Sequence, residues 1–194
     1  MTSRSHIIFI FAMIIAIKRF HIITYADWWH IIPGAILTSL LPDIDHPKSL
    51  IGQRLKCLSY PIAYFFGHRG FTHSLLAVIV CSYLIKKILQ LPLDIQYGML
   101  MGYISHLTAD WCTSAGIPLL WPLPWKFRVP LFHISTGKLP ERFLCLFFLL
   151  IVITIPSNFF MVITPYLNKL VEIQRYCCNI NIFSKPIPVM EKTK

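Results

Sequence analysis

The chain has 194 residues, 56% of them hydrophobic and only 13% charged, with 18 Lys and Arg against 8 Asp and Glu. Soluble domains average about 45–50% apolar and about 25% charged residues, so the composition points to a membrane protein. It excludes a disordered chain, a collagen and a disulfide-stapled mini-protein.

The net charge of +10 would suit nucleic acid if it formed a basic arm or stripe. Here the basic residues punctuate apolar blocks, so membrane lipids with anionic headgroups are the expected partner and nucleic acid is not. The six cysteines (Cys57, Cys81, Cys112, Cys145, Cys177 and Cys178) show no C-x-x-C spacing. Cys81, Cys112 and Cys145 lie within or beside apolar segments and read as small apolar side chains, and the six together give neither a thiolate metal site nor a redox compartment.

Arg4 precedes an apolar run at 7–17 that ends in Lys18 and Arg19. The run has the length of a signal-peptide core, but no small-residue cleavage site follows, so an uncleaved helix is expected. It is short for a span of about 20 residues unless His6 and 20–25 extend it. A second helix is expected at 28–41, entered through Trp28 and Trp29 as interfacial anchors. A polar loop follows at 42–69. A third helix at 70–85 ends in Lys86 and Lys87, Leu91-Pro92 makes a turn, and a fourth helix covers 95–112. Between 116 and 140 the prolines at 118, 122, 124, 130 and 140 forbid one continuous helix. Residues 143–163, interrupted by Pro156, are the best spanning candidate. The expected fold is all-α: an integral membrane helical bundle of about four to five helices. Its domain covers 1–165, and the tail at 166–194 is expected to be partly disordered.

Ionisable groups are costly near membrane segments and mark functional sites there. Three of the five Asp and four of the eight His fall within 43–73 and 106–110, together 36 of 194 positions. His106 and Asp110 are four apart on a helix, so both can face one divalent ion; a plain His–Asp helix pair is the alternative. Asp43, Asp45 and His46 gather two carboxylates and an imidazole just after a helix, as cation-binding loops do. Solvated acids at a helix end would look the same. His68 and His73 add two imidazoles, and Gly70 between them allows a tight turn. An interfacial basic loop is the bland reading.

If 70–85 and 95–112 pair as an antiparallel hairpin about residue 92, His73, His106 and Asp110 reach the same end. Asp43 and Asp45 arrive there from the second helix, and His6 from the first if it runs antiparallel to the second. The candidate ligands are therefore His6, Asp45, His46, His68, His73, His106 and Asp110. Asp43, Asp45 and Arg69 are the candidate catalytic groups.

Five segments also carry a likeness. LLPDIDHPKS at 40–49, GQRLK at 52–56, GHRGFTHSLLAV at 67–78, GYISHLTAD at 102–110 and GIPLLWP at 116–122 closely resemble the YdjM family. Its members are bacterial inner-membrane proteins described as metal-dependent hydrolases under LexA control. The resemblance runs in order over 6–142 and implies a multi-pass protein of the inner membrane. The family is grouped with zinc-dependent phospholipase C and the S1/P1 nucleases, helical phosphoesterases with a multi-zinc site. By that likeness His106 and Asp110 resemble an H-x-x-x-D pair whose Asp bridges two zinc ions. His73 resembles the His of a neighbouring helix, Asp45 or Asp43 the loop Asp beside the metals, and His6 the His of the first helix. No His-rich stretch with a Glu follows Asp110, His133 and Glu141 being the nearest substitutes. One or two zinc ions are expected, not three.

The expected reaction is hydrolysis of a phosphoester, phosphate-containing or lipid-borne, by metal-activated water. Asp43 or Asp45 would ligate or take the proton; Arg69 and Lys48 could clamp the phosphate or equally anchor to headgroups, the better reading for Lys48. A transport protein with a cation pathway is the alternative, but it predicts ionisable groups spread through the membrane depth. A metal-binding membrane protein without catalysis is another. A diphosphate transferase using Asp43 and Asp45 would leave His73, His106 and Asp110 idle. A haem site has only His30 to offer. Nine basic residues fall on each side of the expected membrane, so the positive-inside rule assigns no orientation.

Overall fold

The computed structural model describes residues 1–20, 23, 27–129, 136–156, 165–166, 169 and 172. Among them are seven α-helices and no named strand: α1 (Ser3–Arg19), α2 (Trp28–Leu40), α3 (Leu50–Arg54), α4 (Lys56–Phe66), α5 (Leu75–Leu84), α6 (Leu93–Trp111) and α7 (Leu139–Thr154). The all-α expectation holds among these residues. Most of the expected tail, Cys177, Cys178, His133 and the end of the 143–163 helix lie outside them.

The closest helix pair, α2 against α6, rests on small residues. A Cβ at Gly98 would meet the Ile31 carbonyl oxygen at 2.3 Å, and one at Gly102 would meet that of Ala35 at 2.1 Å. The two glycines are four apart on one face, the spacing that lets helix backbones touch. Thr38 Oγ1 then donates across the seam to the Met99 carbonyl at 2.7 Å. Ile10 and Ile14 of α1 pack with Ile31 and Ala35 of α2 and Met101 of α6. Phe9 and Ala109 meet Cys145 of α7. On the other flank Ala77 and Val78 of α5 meet Tyr103 and Leu107 of α6, as in an antiparallel hairpin, with Ile117 beneath.

Capping explains the helix starts. Asp27 accepts from the Trp29 N–H at the head of α2, Ser49 from the Gly52 N–H in α3 and Ser74 from the Ala77 N–H in α5. Lys18 and Arg19 occupy the last turn of α1, where the helix dipole favours cations.

Three expectations need correction. Residues 42–69 are not one polar loop: they hold a 3-10 turn (Leu41–Asp45), α3 and α4. The apolar stretch that makes α4 was hidden by the charged residues on either side of it. The helix expected at 70–85 is broken, because a 3-10 turn (Phe71–His73) precedes the capping Ser74. No described helix is long and apolar enough to cross a membrane, so the expected spans and the multi-pass arrangement are not seen. Most are shorter than the roughly 20 residues a span needs. The 19-residue α6 carries Asp94, His106 and Asp110.

Candidate metal centre

His6, His73, His106 and Asp110 are buried together with Asp45, and Asp43 is nearly so. The α2–α6 seam sets the first of them. It brings the Ser39 carbonyl to 2.7 Å from His106 Nδ1. A carbonyl only accepts, so Nδ1 carries the proton and Nε2 offers its lone pair inward. One turn further, Asp110 points the same way. His6 comes from α1 and stacks on His106. His73 comes from the 3-10 turn before α5, its Nε2 3.2 Å from His106 Nε2 and 3.3 Å from Asp110 Oδ2.

Among the described residues, two groups have donor atoms all within 4.8 Å of one another: His6, His106 and Asp110, and Asp43, His73 and His106. They share His106. Both ring nitrogens of His6 and Oδ2 of Asp110 are buried without a hydrogen bond. An unsatisfied buried polar atom costs about 1–3 kcal/mol, so atoms left this way beside inward-facing donors fit a site for a cation. Imidazole and carboxylate donors suit zinc.

Asp45 lies outside both groups. Its Oδ2 accepts from the Arg69 N–H at 2.8 Å and the Thr72 hydroxyl at 2.6 Å. Oδ2 is also 3.0 Å from His73 Nδ1, and Oδ1 is 3.1 Å from His68 Nδ1. It orients His73 and holds Arg69, whose φ of 58° is left-handed and unusual for a non-glycine residue. Tyr103 adds a hydrogen bond to the Thr72 carbonyl at 2.6 Å. His46 and His68 stand apart from the buried groups, their rings 4.7 Å from each other, on the wall of a cavity of about 360 Å³. Asp43, Lys48 and Arg69 line the same cavity. The Arg69 guanidinium reaches Asp110 Oδ1 at 3.4 Å and Thr113 Oγ1 at 3.3 Å, and the Met1 ammonium also contacts Asp110 Oδ1.

The environment separates the protonation states. Burial pushes His106 down to about 3, and burial, with the repulsion that two charged rings side by side would add, holds His6 well below its ordinary value. Burial would lower His73 too, but Asp110 and Asp45 on its two nitrogens raise it to about 9. Burial and the nearby Asp110 raise Asp43 to about 6. Burial alone would raise Asp45 and Asp110, yet hydrogen bonding to Asp45 by His68 and His73, and the approach of His73 to Asp110, hold both low.

The sequence offered no hint of the Ser39 carbonyl, because backbone groups leave no residue signature. Thr72 did leave one, as the hydroxyl beside His73. Glu141, fully buried, is engaged elsewhere. It accepts from the Thr2 N–H at 2.7 Å and the Gly137 N–H at 2.6 Å.

The family described as YdjM inner membrane protein matches residues 1–168. The inner membrane protein YdjM of Escherichia coli (strain K12) is 50% identical over 153 residues, 75% of this chain and 78% of that protein. Its namesake in Shigella flexneri matches to the same extent. YvsG of Bacillus subtilis (strain 168) is 38% identical over 104 residues, 54% of this chain and 64% of that protein. No solved structure matches with significance.

Proposed function

The chain belongs to the YdjM inner membrane protein family, and we propose that its buried His–Asp cluster is a divalent-metal centre that serves phosphoester hydrolysis at the inner membrane. The observation that carries this is the pair of three-donor groups sharing His106, with the His6 nitrogens left without a hydrogen bond. His106 has one free nitrogen and serves one ion at a time, so either His6, His106 and Asp110 or Asp43, His73 and His106 would hold it. A bound zinc ion supplies Lewis acidity, polarising a phosphoryl oxygen and acidifying water.

The chain's own groups do the rest. Asp43 belongs to a ligand group and also lines the cavity, so it is placed to accept a proton from water entering there. Its raised pKa, about 6, suits a base working near neutrality. Arg69 and Lys48 stand on the same wall and would bind a phosphate entering the cavity, Arg69 through its planar fork. Asp45 and Thr72 keep His73 aimed at the cluster, as partners of ligating histidines commonly do.

The test is metal analysis of purified protein beside a His106→Ala, Asp110→Ala double variant. Phosphodiester, nucleotide and phospholipid substrates are then assayed with metal returned after chelation. Loss of bound metal in the variant, with metal-restored hydrolysis in the parent, is the expected result. Equal metal content in both would remove the ligand assignment. Bound metal without turnover on any substrate would leave a non-catalytic metal site.

A further inference from the structure

Helix α4 turns an apolar surface outward that the other described residues leave largely uncovered. Only Ser59 of its 11 residues is buried, while Tyr64 is 85% and Phe65 76% exposed and Leu58 and Tyr60 more than half so. Such a patch on one short helix marks a surface for an apolar partner. Pro61 inside it leaves the Cys57 carbonyl without its usual helical donor. That group needs water or headgroups near it and cannot lie deep in hydrocarbon.

Length and charge narrow the partner. Eleven residues make about 16 Å of helix, roughly half the hydrocarbon thickness of about 30 Å. Arg54 and Lys56 stand at its start, and the polar His68 and Arg69 follow directly after its end. Inserted end-on, the helix would carry one of these polar ends into hydrocarbon; lying flat, it keeps both at the headgroups. From His46 to Leu93 the chain has six Lys and Arg and no Asp or Glu, a charge pattern complementary to anionic lipid. The surface also continues past the helix. Phe66 packs on Phe71 and Trp121, with centroids 5.3 and 5.9 Å away. Four residues after Trp121 in the sequence, Trp125 is 61% exposed, and Trp and Tyr are the side chains of the membrane–water interface.

We propose that α4 lies flat in the interfacial layer of an anionic phospholipid bilayer and holds the mouth of the His–Asp cavity at headgroup level. The inference needs neither a metal nor catalysis. It goes beyond residence in the inner membrane by assigning the contact surface and its orientation.

The test places a bimane fluorophore on the full chain in phosphatidylethanolamine–phosphatidylglycerol vesicles. One label sits at the native Cys57, the other at Phe65→Cys with Cys57 replaced by Ser. The remaining cysteines are replaced by Ala, and unchanged helix content by circular dichroism confirms folding. Burial of about 5–10 Å predicts that a nitroxide high on the lipid chain quenches both labels more than one near the bilayer centre, by a similar factor of roughly two or more. Aqueous iodide should quench both weakly. Strong iodide quenching at both labels, or no quenching by either agent (the mark of a protein partner or a second copy), would overturn the proposal. So would clearly different depths at 57 and 65, which mean end-on insertion.

Discussion

His6 and His106 lie face to face, their ring centroids 3.8 Å apart and their planes 9° from parallel. They come from α1 and α6, and burial keeps both neutral near pH 7, so the stack carries no charge repulsion. Its cost is the stranding of both His6 nitrogens. His6→Phe preserves the stack and removes the stranded atoms. Without metal this variant should be as stable as the parent or more so, by up to about 1–3 kcal/mol. With zinc, the metal-induced rise in Tm should shrink sharply. Thermal unfolding with and without zinc measures both, and an undiminished rise in the variant would remove His6 from the ligand set.

His73 makes metal binding a proton-releasing reaction. With its pKa raised to about 9, it is an imidazolium in the metal-free protein at neutral pH and must lose that proton to bind a metal. The signs for stability and affinity are opposite. The stability that His73 lends the metal-free fold is complete below its ordinary value and is lost as pH rises through about 9. Zinc affinity should instead climb by about tenfold per pH unit between pH 6 and 9. Titration calorimetry in buffers of different ionisation enthalpy should count close to one released proton per ion at pH 7. Asp45→Asn should bring that number down and cost about 10–100-fold in affinity. A pH-independent affinity would refute the linkage.

The sequence carried more of the site than of the fold. The i, i+4 spacing of His106 and Asp110 could be read directly, because one helix face holds both and α6 forms as expected. The difference between Asp43 and Asp45 could not. Two residues apart on a tight 3-10 turn, they point to different partners, Asp43 to His106 at 3.8 Å and Asp45 to the 68–73 turn. Only the returning chain decides which does which. Helix α4 is hidden for a related reason: most of its apolar residues are exposed among the described residues, so no periodic core pattern announces them.

Gly102 ties the helix seam to the site. A Cβ there would sit 2.1 Å from the Ala35 carbonyl oxygen and 2.3 Å from Thr38 Oγ1, and backbone cannot yield as a flexible side chain would. Gly102→Ala should therefore push α2 away from α6, break the Thr38–Met99 hydrogen bond and withdraw the Ser39 carbonyl from His106. A destabilisation of about 1–3 kcal/mol is expected, together with weaker zinc binding, although no ligand has changed. Denaturant unfolding and zinc titration of the same preparation check the pairing. Lost stability with unchanged affinity would show that the seam does not set His106.

Glu141 ties α7 to the segment that carries His6. Its carboxylate accepts from the Thr2 N–H at 2.7 Å, the Thr2 hydroxyl at 2.9 Å and the Gly137 N–H at 2.6 Å. Burial opposes its charge, but these hydrogen bonds, with that of Ser5, outweigh burial and lower its pKa. Its stabilisation is thus present above the ordinary carboxyl range and is lost as pH falls through the lowered value. Glu141→Gln keeps the shape and removes the charge, and hydrogen bonds to charged groups contribute about 1.5–3 kcal/mol. Stability at pH 7 should fall by an amount of that order, and the gap between variant and parent should close as the pH is lowered. Because α1 begins at Ser3, the same change should speed amide exchange over residues 2–6 and loosen His6 from the cluster. Hydrogen-exchange mass spectrometry of the amino-terminal peptides reads this directly. Unchanged protection there would mean that packing of Phe9 against Cys145 holds the segment without the carboxylate.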